Sequence, residues 1–216
     1  MPELSFRVEG AEAIPFAAQP TIALKLRIEN AVPQETIHTI TLRAQIQIES
    51  TRRQYSAEEK QDLLDLFGPP NRWGQTLRAM LWTHANATVP SFTGSTACDL
   101  HIPCTFDFNV ATTKYFNALS QGDIPLNLLF SGSIFYPDAE GSLQVVPVPW
   151  SKEARFRLPV AVWREMMDLY YPNTAWLNLR RDVFERLYRY RMQRSIPTWE
   201  QAFEHLLAAE KEPVHQ

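Results

Sequence analysis

Glycine, cysteine and long apolar runs are scarce in this chain, and each scarcity argues against a class of protein. The 216 residues include 7 Gly against 16 Pro, a balance that indicates rigid turns and edge strands rather than glycine-rich phosphate loops. Two cysteines are too few for a disulfide framework. No apolar run approaches the roughly 20 residues of a membrane helix, and the opening residues MPELSFRVEG lack a signal-peptide pattern. We therefore expect a cytoplasmic protein without a membrane span.

An excess of charge of one sign is also missing. The formal net charge is −3 at pH 7, whereas a domain that binds DNA or RNA is expected to be basic. The balance therefore argues against nucleic acid as a partner. Hydrophobic residues make up 45% of the chain and charged residues 21%, which is the composition of a folded domain with its own core.

Apolar and polar residues alternate along two segments, 21–28 and 40–49, which predicts antiparallel strands with one face in the core. The inward positions are Ile22, Leu24, Leu26, Ile28, Ile40, Leu42, Ala44, Ile46 and Ile48. The polar stretch 30–35 between the two predicts a hairpin or its Greek-key equivalent. Further strands are expected at 4–8, 82–89, 97–102, 124–136, 143–150 and 154–158. Pro147 and Pro149 cannot donate to a ladder, so 143–150 is predicted at an edge.

Helical periodicity interrupts this pattern twice and then replaces it. Ser56 and Glu59 have the spacing of a capping box, Gly68 ends that helix, and another is expected at about 72–81. Asp107 can cap a helix that ends near Gly122. After Pro159, helices are expected at 159–171, at 174–194 and from Thr198.

The predicted fold class is therefore mainly β with α. We expect an immunoglobulin-like antiparallel β-sandwich at 1–158, with inserted helices at about 56–81 and 107–121. A helical C-terminal subdomain at 159–216 is expected to pack on or beside it.

Three stretches are distinctive: Leu81–Thr96 (LWTHANATVPSFTGST), Cys104–Gly132 and Val146–Asp182. Together with the N-terminal strands they resemble a bacterial family, a domain of unknown function encoded beside genes for high-affinity nickel-iron hydrogenases and their maturation proteins. The resemblance implies a role in assembling, stabilising or docking such an enzyme. It implies no catalytic residue.

The helix predicted at 174–194 is rich in arginine and contains no lysine. Its six cations are Arg180, Arg181, Arg186, Arg189, Arg191 and Arg194, set against Asp182 and Glu185. At helical spacing, Arg180 and Arg191 fall inside an arc of apolar and aromatic residues. One interpretation pairs these two arginines with carboxylates of the same chain, such as Asp168 or Glu165.

The other interpretation is a contact surface for a partner protein, because interface hot spots favour Tyr, Trp and Arg. Its candidate residues are Arg180, Arg191, Arg194, Tyr188 and Tyr190.

A competing functional class is a small-molecule-binding module or a hydrolase-like enzyme. It would use a pocket between the sandwich and the helical cap, with His84 at its edge and Asp107 as a carboxylate that the fold could bring near. Cys98, His101 and Cys104 have a C-x-x-H-x-x-C spacing, but in a strand the two cysteines share one face and His101 points to the other. We predict core cysteines and no metal site.

The sequence thus predicts a non-catalytic accessory or assembly factor that binds another protein, with no cofactor. The resemblance points to a nickel-iron hydrogenase subunit or maturation protein as that partner. The sequence is also compatible with a homo-oligomer.

Overall fold

The structure is a computed structural model that describes residues 2–105, 110–174, 177 and 179–211. It divides into two compact units, Met1–Thr174 and Ala175–Gln216. The helix that follows Pro159 therefore belongs to the first unit, whereas the predicted helical subdomain begins at 159. In the described part of the chain, no helix is both long and apolar enough to cross a membrane.

The first unit is built on antiparallel strands. Those within the described residues are β1 (Leu4–Ala13), β2 (Thr21–Asn30), β3 (Thr36–Ile37), β4 (Thr39–Ile48), β5 (Met80–Val89), β6 (Phe92–Thr93), β7 (Ser95–Pro103), β8 (Asp123–Pro137), β9 (Leu143–Pro147) and β10 (Glu153–Pro159). One sheet has the order β1-β2-β7 and the other β10-β8-β4-β5, with β9 also paired to β8 and with β3 and β6 forming a separate pair. Antiparallel strands are thus confirmed.

The two larger sheets share one hydrophobic core. The alternating residues of β2 and β4 predicted to face inward are all buried, and the rings of Phe6 in β1 and Phe130 in β8 stack at 4.5 Å between centroids. A hairpin between β2 and β4 is wrong: β2 pairs with β1 and β7, whereas β4 pairs with β5 and β8. The polar stretch 30–35 instead carries the chain from one sheet to the other.

Seven α-helices lie within the described residues. They are α1 (Ala57–Asp62), α2 (Leu64–Phe67), α3 (Trp73–Thr76), α4 (Val110–Asn117), α5 (Val160–Tyr170), α6 (Arg181–Gln193) and α7 (Trp199–Lys211). The Ser56–Glu59 capping box is confirmed, with both reciprocal hydrogen bonds present. Gly68 ends α2 with φ 72°.

Two predicted helices differ from the structure. The one expected at about 72–81 is only the single turn α3, because Leu77 is already extended (φ −71°, ψ 123°) and Met80 begins β5. The one expected at 174–194 begins only at Arg181, after an extended Arg180 with ψ 145°. The carboxylate of Asp182 in the first turn favours a helix N-terminus there. Asp107, expected to cap the helix before Gly122, lies outside the described residues.

A buried ion pair ties the segment before α1 to the chain before β8. Arg53 donates to Glu59 at 2.7 Å and to the carbonyls of Gln121 and Asp123 at 2.5 and 2.6 Å. Glu59 also accepts from the backbone N–H groups of Ser56 and Ser120, each at 3.0 Å. Burial disfavours the charged carboxylate, but these donors outweigh it and lower the pKa of Glu59.

Aromatic side chains from the inserted helices pack around this pair. Tyr55 and Tyr115 share a hydrogen bond of 2.8 Å between their hydroxyls, and Tyr55 also donates to the carbonyl of Ser50 at 2.7 Å. Phe116 of α4 packs against Trp163 of α5 with ring centroids 4.5 Å apart. The insertions of the first unit are therefore part of its core.

Candidate partner-binding surface

The second unit contains a helical hairpin made of α6 and α7. Ser195, between the helices, has φ 52°, a left-handed conformation that reverses the chain over a few residues. The Thr198 hydroxyl accepts from the backbone N–H of Gln201 at 3.3 Å and caps α7. Local sequence signals thus define the turn and the start of α7.

Arg191 is held within this hairpin by aromatic rings. Its guanidinium lies 4.4 Å from the ring centroid of Trp199 and 5.7 Å from that of Tyr188, which is cation–π geometry. Its Nε is buried and has no hydrogen-bond acceptor in the described part of the chain. Arg191 therefore joins α6 to α7, a structural contact that the sequence pattern did not specify.

The other arginines named from the sequence are more exposed. Arg180 pairs with Asp182 at 3.1 Å, with the two side chains 80% and 62% exposed. Arg194 lies over the ring of Tyr190 at 4.8 Å. Exposed ion pairs of this kind contribute little to stability, so Arg180 remains available to a partner.

An apolar stripe runs along α6 at the spacing of one helix face. Its members are Phe184, Tyr188 and Met192, which are 46%, 45% and 57% exposed. On α7, Leu207 is also largely exposed. Tyr188 was predicted as a contact residue from the sequence, but the exposure of Phe184 and Met192 was not. The sequence does carry one signal of this exposure, the width of the apolar arc. A helix with one neighbour needs only about 100° of apolar surface, so a wider arc leaves apolar residues uncovered.

Aromatic packing fixes one border of this stripe. The ring of Trp199 lies 5.4 Å from Phe184 and 6.4 Å from Tyr188, measured between centroids. The stripe is thus a half-covered aromatic surface, fixed on one side by α7 and open on the other.

His84, the residue named for the alternative site, lies on the surface of the first unit. His84 is exposed in β5, where it stands opposite Gln45 of β4, and it lines none of the described cavities. Asp107, its expected partner, lies outside the described residues.

Cys98 lies in strand β7, and Cys104 is the residue that follows the strand. Cys104 is buried and Cys98 is half-buried beside a shallow groove of about 580 Å³ between β5 and β7, which His101 and Asp99 also line. Burial raises the pKa of Cys104 to about 12, and burial together with Asp99 raises that of Cys98. Both thiols are held in the protonated form, which is a poor nucleophile.

Comparison with known protein families assigns the chain to one of them. The family model described as "Family of unknown function (DUF6084)" matches residues 1–215. The chain belongs to this family. No curated protein matches the DUF6084 chain.

Solved structures offer distant likenesses. A β-glucosidase from Kluyveromyces marxianus is similar to this DUF6084 chain at 8% identity with a TM-score of 0.25, over 72% of this chain and 15% of the enzyme. β-Glucosidase 3B from Thermotoga neapolitana, solved with α-D-glucose, is similar at 12% identity with a TM-score of 0.24, over 72% of this chain and 17% of the enzyme. The chain thus spans less than a fifth of either enzyme.

Proposed function

We propose that this DUF6084 chain is a non-catalytic accessory factor that binds a partner protein through the apolar stripe of α6. The observation that carries the proposal is the exposure of Phe184, Tyr188 and Met192 on one face of a helix that buries none of its residues. Adjacent exposed apolar side chains of this kind mark interaction surfaces.

The size of the hairpin is the next support. Both of its helices have 13 residues, a length at which an isolated helix is only marginally stable in water. On the far side of the stripe, Val183, Leu187 and Tyr190 are also apolar and only half-buried. The apolar arc of α6 therefore spans roughly 200° at helical spacing, which is more than one neighbouring helix can cover.

The charge around the stripe selects the chemistry of the partner. Residues 180–194 carry six Arg against two carboxylates, and Arg189, three residues before Met192 on the helix surface, is exposed on α6. Arginine is suited to bidentate pairing with carboxylates and to stacking on aromatic rings. The partner that fits is an apolar groove with an acidic rim, occupied by α6 in the helix-in-groove manner.

The resemblance noted in the sequence narrows the class of partner. That resemblance implies genes beside those of nickel-iron hydrogenases and their maturation proteins, so a subunit or a maturation protein of such an enzyme is the proposed partner. The role is assembly, stabilisation or docking. Protonated thiols at Cys98 and Cys104 support a binding protein over an enzyme with a cysteine nucleophile.

The proposal includes an immunoglobulin-like sandwich as the scaffold. In chain order, β1, β2, β4, β5, β7, β8 and β10 correspond to strands A to G of such a fold. The orders β1-β2-β7 and β5-β4-β8-β10 then give sheets A-B-E and D-C-F-G. The order differs from that of an antibody constant domain only in strand D, which pairs here with strand C.

The test is a pull-down of the tagged full chain from its native host, grown so that the neighbouring genes are expressed, with mass spectrometry of bound proteins. The Phe184→Ser/Met192→Ser double variant removes the stripe, and Phe16→Ser is the control because Phe16 is a fully exposed aromatic residue on the first unit. We expect hydrogenase subunits or maturation proteins with the wild type and the control, and their loss with the double variant. Equal recovery from all three would refute the surface, and absence of these proteins from the wild type would refute the partner.

Charge reversal tests the chemistry of that surface. Arg189→Glu places a carboxylate beside Met192, its neighbour three residues along the helix, without changing the apolar residues of the stripe, so an acidic partner should bind more weakly. Added salt should weaken wild-type binding for the same reason. Unchanged or tighter binding by Arg189→Glu would refute an acidic rim on the partner.

A further inference from the structure

Among the residues that the structure describes, strand β9 has one hydrogen-bonded neighbour, β8. Val148 donates to the carbonyl of Gly132, and Asp138 donates to that of Ser142, each at 2.9 Å. Because hydrogen-bonded pairs alternate along an antiparallel ladder, the residues that point their N–H and C=O groups away from β8 are Leu143, Val145 and Pro147. In this open edge, Leu143 and Val145 supply two N–H donors, and proline supplies none.

The composition of β9 is unusual for an open edge. Its residues are Leu-Gln-Val-Val-Pro with no charge, and Leu143 and Val145 are 62% and 54% exposed. Proteins commonly protect such edges with lysine or with inward-pointing charge. The outer strands β5 and β7 lie against each other, as do β1 and β10, so those edges are covered within the first unit.

We propose that β9 pairs with β9 of a second copy of this chain, antiparallel and centred on Val145. In that register Val145 stands opposite Val145 of the second copy, and Leu143 stands opposite its Pro147. Each Val145 N–H then donates to the other Val145 carbonyl, and each Leu143 N–H donates to a Pro147 carbonyl. Every outward donor of the strand is satisfied, and proline falls where its missing donor leaves no N–H unpaired.

A two-fold axis through Val145 makes the contact self-complementary, as closed dimers require. Trp150, which is 92% exposed, follows β9 by three residues at the end that meets Leu143 of the second copy. The register gives four backbone hydrogen bonds, two between the Val145 residues and two from Leu143 to Pro147. Trp150 extends the apolar contact beyond them. The paired segment is short, so the dimer belongs among small, weak interfaces that form at high protein concentration.

Sedimentation equilibrium of the full chain over a wide concentration series tests this pairing. Val145→Pro removes the central outward donor, whereas Val145→Thr keeps the donor and the β-branched shape as the matched control. We expect a monomer–dimer equilibrium for the wild type and Val145→Thr. For Val145→Pro we expect a dissociation constant raised by about tenfold or more, since two hydrogen bonds are lost, with an unchanged circular dichroism spectrum.

Other results would overturn the pairing. A wild type that stays monomeric throughout refutes it, as does a folded Val145→Pro variant that dimerises as well as the wild type. If Val145→Pro does not fold, Val145→Lys tests the pairing in its place. The two lysines would face each other at the two-fold axis, and their repulsion should abolish the dimer. Loss of the dimer in Phe184→Ser/Met192→Ser with retention in Val145→Lys would assign self-association to the hairpin instead.

Discussion

Loss of the Glu59 carboxylate should destabilise the first unit more than any surface substitution. The side chains of Arg53 and Glu59 are only 8% and 3% exposed, so Glu59→Ala leaves a buried guanidinium without its counter-ion. Breaking a buried pair in this way costs about 3–5 kcal/mol. Glu59→Gln keeps the size and an acceptor, and should cost about 2–3 kcal/mol, the value of hydrogen bonds to a charged group.

Urea unfolding followed by tryptophan fluorescence measures both variants. Ser56→Ala is the control, since it removes only the capping hydroxyl and should cost about 1 kcal/mol. A cost below about 1 kcal/mol for Glu59→Ala would refute a strong role for the pair.

The pH dependence gives an independent check of the same pair. The folded-state pKa of Glu59 is lowered, so its stabilisation is present above the ordinary glutamate pKa of about 4.3. That stabilisation is lost as the pH falls through the folded-state pKa. The difference in unfolding free energy between wild type and Glu59→Gln should therefore shrink in acid. A difference that stays constant from neutral pH into acid would contradict the assignment.

Two further predictions concern the core. Gly132 has φ 138°, and a Cβ there would lie 1.9 Å from the carbonyl oxygen of Thr41, so Gly132→Ala should cost at least about 3 kcal/mol in urea unfolding, with a near-neutral result as the contradiction. Burial raises the pKa of Tyr55 to about 12, so the neutral phenol stabilises the fold below the ordinary pKa of about 10 and that contribution is lost as the pH rises towards 12. Unfolding free energy should fall over this range, and less so in Tyr55→Phe.

The sequence predicted the features that depend on local periodicity and local caps. Alternation in 40–48 identified every buried residue of β4, because one face of that strand meets the core along its whole length. The Ser56–Glu59 capping box could be predicted because both of its hydrogen bonds join residues three apart. The second role of Glu59, its pairing with Arg53 and Ser120, needed the tertiary fold.

The candidate surface was only partly predictable. Helical spacing placed Arg191 among aromatic residues, but the ring it stacks on, Trp199, lies on the following helix. The start of α6 at Arg181 was missed because the apolar pattern continues upstream of the point where the helix begins. Exposure of Phe184 and Met192 depends on how many neighbours cover α6, which no pattern within the helix can specify.

The measurement that tests the central claim most directly is site-specific photo-crosslinking in the native host. A photoreactive amino acid at Met192 probes the stripe, and the same residue at the exposed Leu81 of the first unit is the control. The account expects crosslinks from position 192 to a hydrogenase subunit or maturation protein, with none of these from position 81. Crosslinks from position 192 only to the chain itself would show that the stripe is covered from within, and would contradict the proposed function.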